Sequence, residues 1–113
     1  MKKLLLATAM LAALVGGANA NDGTYLYMCK TGREVHPVTV NLIQDKLIWL
    51  GRAYTHVTDS DDCKVKYTAT RASATISLCT ATQGVAALTD ESGAEFDCQM
   101  PGSRDYQKWL RSK

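Results

Sequence analysis

From Thr24 onward, apolar and polar residues alternate over short runs broken by turn residues. This is the period-two pattern of strands with one face in a core and the other in water. Thr24 to Lys30 places Tyr25, Tyr27 and Cys29 on one face, and Thr31-Gly32 ends the run. A second run spans Val35 to Leu42, with Pro37 near its start, where a missing N–H is tolerated. Leu47 to Leu50 and Ala53 to Val57 flank Gly51-Arg52, a hairpin signal. The polar stretch Thr58 to Asp62 reads as a loop. After it, Val65, Tyr67 and Ala69 form one inward set, with Lys64 and Lys66 toward water. Thr70 to Ser73 turns the chain into Ala74 to Thr80, whose inward set is Ala74, Ile76 and Leu78. Gly84 to Thr89, a turn at Asp90 to Gly93, and Ala94 to Cys98 complete the pattern.

Seven to eight short strands at this spacing predict an all-β fold, a small antiparallel β-barrel or a sandwich. We take the barrel as the expectation, because closure removes the open edges that invite edge-to-edge association. Past Pro101-Gly102 the period changes to that of a helix. Tyr106, Trp109 and Leu110 fall at i, i+3 and i+4, with Ser103 as the expected N-cap of a short C-terminal helix.

The first twenty residues read differently. Met1-Lys2-Lys3 is a positive start, Leu4 to Gly17 is apolar and Ala-rich, and Ala18-Asn19-Ala20 is a small-x-small cleavage signal. Residues 1–20 are therefore expected to be a secretory signal peptide, and 21–113 a single domain in the periplasm or secreted. Neither a lipid anchor nor a membrane span is expected, since no cysteine stands at the cleavage point and no later run approaches the roughly 20 apolar residues of a spanning helix. Of the 113 residues, 93 would remain, a size at which a hydrophobic core alone gives marginal stability.

All four cysteines, Cys29, Cys63, Cys79 and Cys98, lie in that portion, where an oxidising compartment favours disulfides. Four thiols allow three connectivities, among which sequence does not choose. The pairing carried forward as an expectation is Cys29–Cys98 with Cys63–Cys79. Without a C-x-x-C pair, neither a four-thiolate zinc site nor a redox-active dithiol is expected.

Charge narrows the partners. The chain has 13 Lys and Arg against 11 Asp and Glu, and loss of Lys2 and Lys3 would balance them. Nucleic-acid binders carry a basic excess, so that class is set aside.

No enzyme chemistry is expected. Gly-x-Ser-x-Gly and His-Glu-x-x-His are both missing from the sequence. His36 and His56 have no third ligand assigned beside them and read as exposed strand residues, so no metal and no cofactor are expected. Asp59 to Asp62 lacks the alternating carboxylates and distal glutamate of a calcium loop and reads as a solvated turn. Tyr25, Tyr27, Trp49, Tyr54 and Tyr67 read mainly as core or rim packing.

Three stretches resemble the bacterial inhibitors of c-type lysozyme, the MliC/PliC group. They are Tyr27-Met28-Cys29-Lys30-Thr31-Gly32, the hairpin from Leu47 through Gly51-Arg52-Ala53-Tyr54-Thr55, and the loop from Ser60 to Tyr67. A looser fourth is Gln83 to Leu88. The resemblance covers roughly Tyr25 to Thr89. It implies an eight-stranded barrel in the periplasm or on the outer membrane, and a cysteine of the first strand paired with one near the C-terminus.

The resemblance also implies a non-enzymatic protein that inserts loops into a protein partner, a c-type lysozyme. The partner-binding residues it points to are Ser60, Asp61, Asp62, Lys64, Tyr67 and Gln83. The inhibitory loop of the family is Ser-Gly-x-x-Tyr, assisted by a lysine. Here Cys63 stands at the serine position, Lys64 at the glycine and Gln83 at the lysine, while Tyr67 and Gly84 match. A pairing of Cys63 with Cys79 would exchange that loop for a cross-link. The alternative expectation is an envelope structural or surface interaction protein that keeps the barrel without inhibiting lysozyme.

Overall fold

The computed structural model describes residues 23–112; the expected signal segment lies outside the described residues. Eight strands close into an all-antiparallel barrel in chain order, each paired with the next and β1 with β8. They are β1 (Thr24–Thr31), β2 (Glu34–Asn41), β3 (Lys46–Trp49), β4 (Arg52–Ser60), β5 (Val65–Arg71), β6 (Ala74–Thr80), β7 (Val85–Thr89) and β8 (Glu95–Gln99), followed by the helix α1 (Tyr106–Arg111). Among the described residues no helix is long and apolar enough to cross a membrane.

Alternation built this shell. Tyr27, Cys29, Val38, Val40, Leu47, Trp49, Tyr54, Tyr67, Ala69, Ile76, Leu78, Ala86, Leu88 and Cys98 form one core cluster, filling the lumen as small barrels require. Trp49 is packed against Phe96, with ring centroids 5.8 Å apart, and its indole nitrogen is enclosed without a hydrogen-bond partner.

Two disulfides tie the shell. Cys29–Cys98 crosses the β1–β8 seam, and Cys63–Cys79 ties the β4–β5 loop to β6. No described cysteine is free.

Three local expectations are corrected. The β3–β4 hairpin turns on Leu50-Gly51, not Gly51-Arg52. Both turn residues have positive φ, 51° and 77°, and Trp49 pairs directly with Arg52. This backbone hand matches the right-handed twist of the flanking strands.

The stretch from Thr58 is not wholly a loop, because β4 continues to Ser60. Between Thr55↔Thr70 and Thr58↔Thr68, β4 advances three residues while β5 advances two. This is a bulge with His56 at φ 57°. The Asp45 carboxylate accepts the amides of His56 and Val57, at 3.2 and 2.6 Å, and holds the distortion from the preceding turn.

Ser103 does not cap the helix. Its hydroxyl lies 3.0 Å from Gln99 Oε1, while α1 begins after Asp105 with no side-chain cap bond. The helix is latched at its other end. Lys30 Nζ donates to the Trp109 carbonyl and to the Ser112 carbonyl and hydroxyl, and lies 4.7 Å from the Trp109 ring centroid. A cation on the last carbonyls satisfies orphan acceptors and complements the helix dipole. Tyr106 stacks on Trp109, and both are half-buried.

Candidate functional site

The end of the barrel where β1 begins and β4 finishes carries every residue singled out for partner binding. Ser60 closes β4, Asp61, Asp62 and Lys64 lie in the link to β5, Tyr67 stands on β5, and Gln83 sits in the β6–β7 turn. Ser60, Asp61, Asp62, Lys64 and Gln83 are exposed, whereas Tyr67 is buried on the inner face.

The two links are fastened to each other through β6. Lys64 donates its amide to the Thr80 carbonyl at 3.0 Å. The buried Thr80 hydroxyl accepts the Val65 amide at 3.1 Å and donates to the Val65 carbonyl at 2.8 Å. Cys63–Cys79 adds a covalent tie one residue away on each side. The cross-link and the cyclic hydrogen bonds thus fix where the acidic link emerges relative to the Gln83 turn.

That turn is itself braced. Gln83 and Gly84 both have positive φ, 63° and 77°, and the Ala81 amide donates to the Val85 carbonyl at 2.8 Å. A Cβ on Gly84 would come within 2.7 Å of the Ser103 Cβ. Glycine is required here by both conformation and space. The Met100 amide donates to the Gly84 carbonyl, so the segment leading to α1 packs beneath the turn.

The bulge in β4 determines which side chains face the lumen. Without it, alternation from the buried Tyr54 would carry inward residues to His56, Thr58 and Ser60. The extra residue shifts the pattern to Val57 and Asp59, and Asp59 stands directly opposite Tyr67, on the same face. Tyr67 reaches across the opening to Tyr25 of β1, with ring centroids 6.2 Å apart and planes inclined by 24°. Tyr27 lies one inward position deeper.

Burial pushes the phenols of Tyr27 and Tyr67 above the ordinary tyrosine value. The neighbouring tyrosines add to both shifts, and the Asp59 carboxylate adds to that of Tyr67. Both phenols therefore resist ionisation at this opening. The sequence placed Asp59 in a solvated turn and Tyr25 in general packing; their meeting with Tyr67 requires the bulge and barrel closure, which no local signal announces.

At the opposite end, His36, Pro37, Ile48, Leu50 and Gly51 line a shallow groove on the outer wall. His36 Nε2 lies 2.9 Å from Glu34 Oε1. Among the described residues no group of three His, Cys, Asp or Glu side chains is placed to hold a metal ion.

Comparison with protein-family models, curated proteins and solved structures gives no match.

Proposed function

We propose that this chain is an exported, non-enzymatic binding protein that engages a protein partner through the end of the barrel carrying Ser60 to Lys64 and Gln83. The observation behind the reading is the fastening of those two links to each other through Thr80 and Cys63–Cys79. Loops held in advance lose little conformational freedom on binding. A c-type lysozyme is the proposed partner, on the resemblance described above. Titrating the oxidised protein against c-type lysozymes tests this, with inhibition at micromolar concentration expected. Full muramidase activity at that concentration excludes lysozyme as the partner.

A second reading rests on Cys63, which is cross-linked at the position where the family carries its inhibitory serine. Here the barrel serves the cell envelope as a structural or surface interaction protein. Capture from a periplasmic extract distinguishes the two: an envelope component in place of a muramidase supports the second reading.

A further inference from the structure

The tyrosine-lined opening has a chemistry of its own. Tyr67 and Tyr27 are 8 % and 7 % exposed, and no hydrogen bond from a described residue reaches their phenol oxygens. Neither oxygen is sealed in, since Trp49 Nε1 is the one enclosed polar side-chain atom left without a partner among the described residues. These hydroxyls are therefore polar groups within reach of solvent and without a partner among the described residues, and such groups ordinarily find one. Asp59 stands opposite Tyr67 at the rim, exposed and without an ion pair or hydrogen bond among the described residues. Asp61 follows, also exposed and unpaired among them, and Asp62 takes only a long contact, 3.4 Å, from the Ser60 hydroxyl.

These groups ask for one kind of ligand. Stacked rings offer a flat, electron-rich surface, the phenol oxygens can accept hydrogen bonds, and the carboxylates of Asp59 and Asp61, in no ion pair among the described residues, supply negative charge. A guanidinium group is planar and cationic, and carries donors in a fork that matches a carboxylate, whereas an ammonium lacks the plane. We propose that the Tyr25, Tyr67 and Asp59 opening is a seat for an arginine side chain presented by a protein partner. The guanidinium lies against the Tyr25 ring, pairs with Asp59 and donates to the Tyr67 oxygen. The seat rests on the reading of this barrel end as a partner-binding surface and specifies what that surface accepts.

A small probe separates the two claims. L-Argininamide is titrated into the oxidised chain while tyrosine ring resonances are followed by NMR, alongside L-citrullinamide, which has nearly the same shape and no guanidinium charge. Saturable shifts of the Tyr25 and Tyr67 rings are expected with argininamide in about the millimolar range, and not with citrullinamide. Asp59→Asn should weaken binding about tenfold, the scale of a lost charge-assisted hydrogen bond. Tyr25→Leu, at a half-buried rim position, should abolish the saturable shifts.

Equal responses to both probes, or an affinity that Asp59→Asn leaves unchanged, overturn the seat. Argininamide binding without lysozyme inhibition keeps the seat and removes that partner. Inhibition without argininamide binding does the reverse.

Discussion

Cys29 and Cys98 stand directly opposite each other, Cα atoms 4.0 Å apart, in the strand pair that turns an eight-stranded sheet into a closed shell. Only Met28↔Gln99 and Cys29↔Cys98 are in register across that seam, whereas β1 and β2 share eight pairs. The covalent link therefore reinforces the most sparsely paired junction of the barrel.

The first prediction follows from the lengths of chain each link encloses. On chain-entropy grounds, the 69-residue separation of Cys29–Cys98 is worth about 4 kcal/mol and the 16-residue separation of Cys63–Cys79 about 3 kcal/mol. Urea unfolding of the paired Cys→Ala variants should rank them in that order. The Cys63/Cys79 variant should remain a barrel by circular dichroism.

Thr80 offers a second test. Its hydroxyl both accepts from and donates to the backbone of Val65. Thr80→Val keeps the shape but leaves the part-buried amide and carbonyl of Val65 without these bonds, a loss of about 1 kcal/mol. Amide hydrogen exchange should accelerate most at Val65 and in the preceding link. Uniform acceleration across the barrel would show that Thr80 has no special hold on that link.

Alternation made much of this architecture legible. Tyr67, Ala69, Ile76 and Leu78 were readable as inward positions because β5 and β6 are regular, with seven consecutive pairs. The course of β4 was hidden for the opposite reason. Thr58-Asp59-Ser60 is polar on both faces, and the carboxylate that shapes its bulge comes from Asp45, in another turn. Ser103 looked like an N-cap because serine fits that role locally, but in the structure its hydroxyl contacts Gln99. The stack of Tyr25 on Tyr67 joins strands that are not neighbours in the sheet, and depends on how the barrel closes, which no single strand encodes. Sequence likewise left three cysteine connectivities open; the β1–β8 register is what brings Cys29 to Cys98.

A third prediction concerns Leu50. It has φ 51° at the hairpin tip and is 55 % exposed, so it bears a conformation disfavoured for a branched side chain while remaining largely open to water. Leu50→Asn relieves that strain and should stabilise the protein by about 1 kcal/mol, raising Tm by several degrees. A lower melting temperature would mean that contacts along the His36, Pro37 and Ile48 groove outweigh the backbone cost.

The fourth is a pH dependence. Burial pushes the Asp90 carboxyl upward, but hydrogen bonds from the Ser92 hydroxyl and from the Ala94, Ser92 and Gly93 amides outweigh it and leave its pKa below the ordinary aspartate value of 3.8. A depressed folded-state pKa contributes stability fully present above the unfolded value and lost as pH falls through the folded one. Asp90→Ala should therefore destabilise the β7–β8 turn at neutral pH, and the difference from wild type should shrink in melts below about pH 4. The effect is modest because the group is largely solvated.

The Lys30 latch also fixes where the chain leaves the molecule. Tyr25 and Lys30 lie five residues apart on β1, about 17 Å at the rise of an extended strand. Ser112 is held at the Lys30 end, so anything joined beyond it emerges far from the tyrosine opening. A purification handle, fluorophore or surface tether attached there leaves the opposite rim open to incoming molecules, making that attachment point suited to binding measurements on an immobilised sample.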